Sequence, residues 1–379
     1  MQYRQLGKTG LSISAIGLGG EWLERHNAEE VKAVVDACRA YGVNTIDCFM
    51  SEPNVRSNLG NAIKGEREKW IIEGHIGSAW QNGRYVRTRK IAEAKVAFED
   101  LLTRFQTDYI DLGMIHFVDR EDDWLDVLEG GLMDYVCELK QSGAIRHIGL
   151  STHSPAIAKK AVEHGAVEVL LFSINPGYEL LPSETNTGLP DAKAPVLRGM
   201  DAERVELYRL CEERGVGINV MKCFGGGRLL DAARSPFGVA LTPVQCIHYC
   251  LTRPAVGSVM IGFNTADQVP ATMAYLTATE EEKDYATTLA ASPRQTYYGH
   301  CTYCGHCQPC PAGIDIAMAN KLYDLATAQP TTPATVRAHY QALEQKASAC
   351  LHCGKCETRC PFHVRVSDQM RRITALFES

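Results

Sequence analysis

The chain has 379 residues, of which 45% are hydrophobic and 22% charged, and its formal net charge is -6. No uncharged apolar run approaches the roughly 20 residues that cross a bilayer, and no basic run is interleaved with aromatics, so membrane and nucleic-acid partners are not expected. The length exceeds that of a usual single domain and predicts a barrel-sized domain joined to a smaller one. We expect the protein to act on a small molecule. The cytoplasm is the predicted location, because no secretory signal opens the chain.

The first two thirds of the sequence alternate short apolar runs with helical stretches. A two-stranded hairpin with its turn at Lys8–Gly10 comes first. Eight strands follow, at residues 14–19, 44–49, 70–76, 109–116, 145–151, 169–175, 216–222 and 256–262. Eight strand-helix units in about 250 residues predict an α/β fold, a (β/α)8 TIM barrel, whose chemistry lies at the carboxyl ends of its strands.

Polar side chains lie in or just after three neighbouring strands of this predicted barrel. Asp47 lies in the second strand and Glu52 follows it, His75 lies in the third strand, and His116 ends the fourth. Carboxyl ends of parallel strands meet at one mouth, so we expect these four groups to converge there as catalytic residues.

Fifteen cysteines indicate metal or redox chemistry, and eight of them fall between residues 301 and 360. Two Cys-x-x-Cys-x-x-Cys runs each end in a further Cys-Pro, the spacing of 4Fe-4S clusters in which the fourth thiolate reaches the other cluster. The spacing predicts one cluster held by Cys301, Cys304, Cys307 and Cys360. It predicts a second cluster held by Cys310, Cys350, Cys353 and Cys356.

The segment between the two cysteine runs is helical in its periodicity, at residues 315–326 and 335–347. The sequence therefore predicts a C-terminal helical bis-4Fe-4S ferredoxin-like domain at residues 286–379. The barrel is predicted to occupy residues 1–285.

Five segments of the barrel resemble the aldo/keto reductase family: residues 3–11, 42–47, 107–116, 148–151 and 174–176. The cysteine-rich tail resembles the branch of that family with a C-terminal 4Fe-4S domain. The resemblance implies hydride transfer from NAD(P)H to a carbonyl, assisted by an Asp, Tyr, Lys and His tetrad. Asp47 and His116 match that tetrad, whereas its Tyr position falls on Glu52 and its Lys position on His75.

The same resemblance implies which residues bind the nicotinamide cofactor. Ser151, Asn175, Lys222 and Gly262 are the cofactor-binding candidates. The family's adenine-binding Glu-Asn pair is replaced by Ala271 and Thr272.

Three functions are open from the sequence. The first is an oxidoreductase acting on a small carbonyl or hydroxyl compound, in which His or Glu transfers the proton and electrons come from NAD(P)H or through the clusters, with a ferredoxin or flavodoxin as candidate donor. The second is a non-redox lyase, isomerase or hydrolase with an additional divalent metal on Asp47, Glu52, His75 and His116. The third is an electron-carrier module with an inert barrel.

Overall fold

The computed structural model describes most of the chain as two compact units. The described residues are 1–180, 202–290, 301, 307–327, 331–332, 334–360 and 364–379. Unit 1 contains residues 1–174, 202–223 and 247–283, and unit 2 contains the described residues of 175–201, 224–246 and 284–379. The predicted division at residue 285 stays a prediction.

Twelve strands occur in the described residues. They are β1 Tyr3–Gln5, β2 Ser12–Ser14, β3 Ile16–Gly19, β4 Thr45–Cys48, β5 Ile71–Ile76, β6 Ser78–Gln81, β7 Arg84–Arg87, β8 Ile110–Ile115, β9 Ile145–Thr152, β10 Val169–Ser173, β11 Gly217–Met221 and β12 Val256–Gly262.

Eight parallel strands close into a barrel in unit 1. Their order is β3, β4, β5, β8, β9, β10, β11 and β12, with β12 pairing back to β3. Each of the eight predicted barrel strands is present, and the TIM-barrel prediction is confirmed. The antiparallel β1–β2 hairpin was also predicted, whereas the antiparallel β6–β7 hairpin was not.

Helices form many of the connections between strands and more than half of the described residues after residue 284. They are α1 Ala28–Ala40, α2 Pro53–Ala62, α3 Ile91–Phe105, α4 Glu121–Glu129, α5 Leu132–Ser142, α6 Pro155–His164, α7 Pro176–Glu179, α8 Ala202–Arg214, α9 Pro243–Leu251, α10 Gln268–Met273, α11 Glu280–Lys283, α12 Tyr285–Ala290, α13 Ile316–Thr327, α14 Ala334–Gln341, α15 Lys355–Arg359 and α16 Val366–Phe377. Among the described residues, none of these helices is both long and apolar enough to span a bilayer.

The barrel interior is apolar at its amino-terminal end. Leu6 and Ile13 flank the turn of the β1–β2 hairpin and belong to one buried cluster with residues from four barrel strands. The hairpin therefore plugs this end of the barrel, as predicted. At 25 cal/mol per Å², each of these side chains contributes about 1.5–3 kcal/mol by its burial.

Unit 2 has its own small core around α16. This helix buries Val366, Met370, Ile373 and Phe377, which recur every three or four residues on one face. The Phe377 ring stacks on Tyr340 of α14 with centroids 4.3 Å apart. The predicted helical character of the C-terminal region is confirmed, although α14 ends at Gln341, six residues before the predicted end.

Candidate functional site

Three of the four predicted catalytic residues meet inside the barrel. Asp47 lies in β4, His75 in β5 and His116 directly after β8. These strands are neighbours in the barrel, so their carboxyl ends bring the three side chains together. All three residues are buried.

A continuous hydrogen-bonded chain joins these residues to a tyrosine. His75 Nε2 lies 2.9 Å from Asp47 Oδ1, and His75 Nδ1 lies 2.9 Å from His116 Nδ1. His116 Nε2 in turn lies 2.8 Å from the Oη of Tyr85. We call these four residues the relay.

The proton inventory gives the relay a direction. An ionised Asp47 only accepts, so His75 donates from Nε2 and, when neutral, accepts at Nδ1. His116 then donates from Nδ1 and accepts at Nε2, where the Tyr85 hydroxyl donates. Every bond therefore points from Tyr85 toward Asp47, and protonation of Asp47 allows every bond to reverse.

Tyr85 is the site residue that sequence reasoning missed. It lies in β7 of the hairpin inserted after β5, whose turn is formed by Asn82 and Gly83 with φ of 52° and 75°. An Asn-Gly pair between two short alternating runs is a strong hairpin signal, and it could have located this element but not its target. Burial raises the pKa of Tyr85, so its hydroxyl is protonated at neutral pH.

Two arginines hold the hairpin end against the loop after β8. Arg87 Nη1 and Arg89 Nη2 both donate to the Phe117 carbonyl oxygen, at 3.1 and 3.0 Å. Both also bind the buried Asp123 carboxylate, at 3.1 Å from Arg87 and 2.7 Å from Arg89 Nε. Phe117 follows His116, so this clamp fixes the two ends of the Tyr85–His116 bond relative to each other.

Glu52 does not join the relay. Its carboxylate accepts hydrogen bonds from the Val55 N–H at 2.8 Å and the Asn54 side chain at 3.0 Å. It is the N-cap of α2, with Pro53 at the first helical position, an arrangement that satisfies the helix end. The predicted convergence of four groups is therefore a convergence of three, because local helix capping holds the Glu52 carboxylate.

An aromatic ring covers the two histidines. Phe49 stacks on His116 with centroids 5.8 Å apart and an interplanar angle of 11°, and its edge faces His75 at 6.1 Å. A low-dielectric cover of this kind strengthens the hydrogen bonds beneath it.

A second carboxyl group lies in the barrel interior. Glu73 is fully buried in β5, two residues before His75, and the Asn219 side-chain amide of β11 donates to its Oε1. Burial and then the charge of Asp47 raise the pKa of Glu73 well above its usual value. The sequence offered no reason to single it out, because alternation in a barrel strand does not show which polar side chain will meet a partner.

Three of the four predicted cofactor-binding residues lie in unit 1. Ser151 is buried in β9, and Lys222, with φ of 64°, places Nζ 3.3 Å from Glu21 Oε2. Gly262 ends β12 under the Trp22 ring, where an added Cβ would lie 2.0 Å from the indole. The Trp22 ring therefore packs directly against the backbone at Gly262.

The fourth predicted cofactor-binding residue, Asn175, belongs to unit 2. Its side-chain oxygen accepts from the Tyr178 N–H at 3.0 Å, which makes Asn175 the N-cap of the short α7.

Four cysteines of the two cysteine runs share one cavity. Cys310, Cys350, Cys353 and Cys356 line one small apolar cavity together with Ile314, Met370 and other residues. Cys301, Cys307 and Cys360 do not line it, and Cys304 lies outside the described residues. One thiolate of the first run thus shares a cavity with three of the second run.

A divalent metal at the barrel mouth would have to compete with the relay. No group of three or more His, Cys, Asp and Glu side chains in the described residues has the arrangement of a metal-ion site. All four ring nitrogens of His75 and His116 are already hydrogen-bonded.

Comparison with known proteins agrees with this architecture. Residues 12–240 match the model of the aldo/keto reductase family, and residues 300–365 match a 4Fe-4S dicluster domain. The chain is 29% identical to the uncharacterized oxidoreductase YqkF of Bacillus subtilis over 71% of this chain and 89% of that protein. It is 30% identical to the aldo-keto reductase YhdN of the same organism over 51% of this chain and 59% of that one.

Among solved structures, the aldo-keto reductase AKR11C1 from Bacillus halodurans in its holo form superposes with a TM-score of 0.60 at 24% identity, over 77% of this chain and 97% of that one. At this identity the superposition supports the fold alone. The family match covers more than half of the chain, so this protein belongs to the aldo/keto reductase family and carries a C-terminal 4Fe-4S dicluster domain.

Proposed function

We propose that this protein is an oxidoreductase that interconverts a small carbonyl compound and its alcohol, with Tyr85 as the acid and base at the substrate oxygen. The hydrogen-bonded chain from Tyr85 through His116 and His75 to Asp47 is the observation that carries the proposal. A buried chain of four groups with one consistent polarity is suited to moving a proton between the substrate and the barrel interior.

In this scheme Tyr85 performs the task of the tyrosine in the family's tetrad, whose position in this chain is occupied by Glu52. During alcohol oxidation the substrate hydroxyl gives its proton to the Tyr85 oxygen as Tyr85 passes its own to His116 Nε2. His116 Nδ1 passes one to His75 Nδ1, and His75 Nε2 passes one to Asp47. The relay ends with neutral Tyr85 and protonated Asp47.

Carbonyl reduction uses the opposite polarity. A proton leaves the Asp47 carboxyl for His75 Nε2, one moves from His75 Nδ1 to His116 Nδ1, and one moves from His116 Nε2 to Tyr85 as Tyr85 protonates the substrate oxygen. Asp47 ends as a carboxylate. Because the pKa of Tyr85 is raised by burial, tyrosinate does not accumulate and the phenol is the resting form.

The electron half of the reaction needs a hydride at the substrate carbon, which a nicotinamide cofactor supplies when bound. Ser151 and Lys222 remain the unit 1 candidates to hold it, through a hydroxyl for the carboxamide and an ammonium for a phosphate. Gly262 is a weaker candidate because the Trp22 ring covers it.

We further infer that Cys310, Cys350, Cys353 and Cys356 hold one cluster, and that Cys301, Cys304, Cys307 and Cys360 hold the other. The shared cavity of the first four supports the exchange of one thiolate between the two runs. A cluster bound there would supply single-electron transfer, and a ferredoxin or flavodoxin is the class of partner suited to exchange the electrons.

The decisive experiment is a titration of anaerobically purified protein with NADH and NADPH, followed by a panel of small aldehydes and ketones. We expect carbonyl-dependent oxidation of one nucleotide by the wild type and loss of that turnover in Tyr85→Phe. If neither nucleotide nor a reduced ferredoxin is oxidised when carbonyls are added, the proposal is wrong.

The same preparation separates the two alternative functions. Divalent metal in excess of cluster iron, with lyase or hydrolase turnover that chelation removes, would favour the non-redox enzyme. Electron shuttling that is unchanged in Tyr85→Phe and His116→Gln, with no turnover of small molecules, would favour an electron carrier with an inert barrel.

A further inference from the structure

Glu73 is a buried carboxyl group without enough partners to be an anion. Asn219 donates one hydrogen bond to Oε1, while Oε2 has no partner among the described residues. The Asn219 Oδ1 and Ser258 Oγ atoms are also buried without a partner there. A buried carboxylate with a single hydrogen-bond donor costs several kcal/mol more than the neutral acid, whose O–H can donate to an acceptor.

The position of Glu73 couples it to the inner end of the relay. It is the register partner of Asp47 on β4 and of the apolar Leu112 on β8. It shares one strand face with His75, since the two are separated by one residue. Adjacent strands lie about 4.8 Å apart, so a charge on Asp47 is felt strongly at Glu73.

The groups around Glu73 include few that titrate. Asp47 faces it from β4 and His75 from its own strand, while β11 contributes the neutral Asn219 and its register partner on β12 is Ser258. No lysine or arginine is among these neighbours. The raised pKa of Glu73 agrees with this arrangement.

We propose that Glu73 is a protonated store that supplies the relay with its proton during carbonyl reduction. An ionised Asp47 has no proton to give, so reduction begins when the Glu73 carboxyl passes its proton to Asp47. Glu73 becomes a carboxylate, the relay passes one proton outward to the substrate oxygen, and Asp47 ends ionised as it began. Uptake of one proton from solvent resets Glu73. This inference rests on the proposed function and adds an inner source of protons to it.

Infrared spectroscopy tests the protonation state without turnover. We expect a carboxylic-acid carbonyl band in the wild type at neutral pH that is lost in Glu73→Gln, a variant that keeps the volume and the acceptor for Asn219. The band should persist in Tyr85→Phe. In Asp47→Asn it should titrate at lower pH, because the neighbouring charge is gone. A wild-type spectrum without a band assignable to Glu73 would overturn the proposal.

Kinetics test the role as a store. In Glu73→Gln we expect kcat/KM for carbonyl reduction to fall by about 10²-fold, the lower end of the range for proton-transferring groups. Because a mutation leaves the overall equilibrium constant unchanged, kcat/KM for alcohol oxidation at the same pH should fall by the same factor. Glu73→Asp, which keeps a carboxyl group, should recover part of the lost rate. Rates in Glu73→Gln within about threefold of wild type, or no recovery in Glu73→Asp, would overturn the store, even with the band present.

The two proposals fail separately. If the Glu73 band is present but no carbonyl is turned over, the proposed function is wrong. Glu73 would then be protonated without supplying protons to carbonyl reduction. Normal turnover without the band would defeat the store and keep the function.

Discussion

His75 and His116 meet through like atoms, Nδ1 to Nδ1, at 2.9 Å. One of the two must donate while the other accepts, so the two rings are held in complementary tautomers whose exchange moves a proton across the bond. Their other nitrogens face Asp47 and Tyr85, which makes the histidine pair the centre of the relay.

Replacing His75 by glutamine should interrupt the relay and leave the fold intact. The amide can still donate to Asp47, but it cannot accept a proton on one side and release one on the other. We expect kcat to fall by about 10²–10⁴-fold with little change in thermal stability, measured by steady-state kinetics and thermal unfolding. The exposed His164→Gln variant is the control, and a kcat within twofold of wild type for His75→Gln would contradict the relay.

Removing the Tyr85 hydroxyl should abolish proton transfer at the substrate. Tyr85→Phe keeps the ring and loses the hydrogen bond to His116, so kcat should fall by about 10²–10⁴-fold while KM changes little. Tyr135→Phe is matched to it, because burial raises the pKa of that tyrosine too, to about 12, at a place outside the relay. Comparable losses in both variants would show a general packing effect.

Neutralising Asp123 should loosen the Tyr85 hairpin. Asp123→Asn weakens the bonds from Arg87 and Arg89, and we expect a loss of about 1–3 kcal/mol in the free energy of unfolding together with reduced kcat. Denaturant unfolding and kinetics measure the two effects. Asp122→Asn changes an exposed neighbour and is the control. An unchanged kcat in Asp123→Asn would show that the two arginine contacts stabilise the fold without supporting catalysis.

Glu168 should support the fold at neutral pH and cease to do so in acid. Partial burial acts to raise the pKa of Glu168. Hydrogen bonds from His147, Lys140 and the Ile148 N–H outweigh this effect and lower the pKa from 4.5 to about 2. A lowered pKa in the folded state stabilises the protein above pH 4.5, and this stabilisation is lost as the pH falls toward 2.

We therefore expect Glu168→Gln to be less stable than wild type by about 1–2 kcal/mol at pH 7, after allowing for partial exposure. The difference should shrink as the pH falls from 4.5 toward 2, as measured by denaturant unfolding across pH. The exposed Glu163→Gln variant is the control. A destabilisation independent of pH would assign the effect to packing.

Cys310→Ser should remove the same cluster as Cys353→Ser. If one thiolate of the first run crosses to the second cluster, each variant should retain about half of the iron and labile sulfide of anaerobically prepared wild type. Electron paramagnetic resonance of the reduced proteins should show the same surviving signal. Cys137→Ser, an exposed cysteine outside both runs, is the control, and different surviving signals would contradict the crossed assignment.

The order of strands and the spacing of cysteines were determined by the sequence, because both depend on local patterns. Alternating apolar segments defined all eight barrel strands, and short gaps between cysteines predicted the cluster motifs that the dicluster domain match supports. Asp47, His75 and His116 were predicted to converge because strand ends in a parallel barrel share one mouth.

Only the tertiary structure decided which groups complete that site. Tyr85 reaches His116 from a hairpin 31 residues earlier, and Glu73 meets Asn219 across the barrel, 146 residues away. Such contacts depend on how an inserted hairpin folds back and on which side chains share a layer of the barrel, and neither leaves a periodic trace in the sequence. Glu52 illustrates the opposite case, since a local helix end captured a carboxylate that its position in the chain had assigned to the active site.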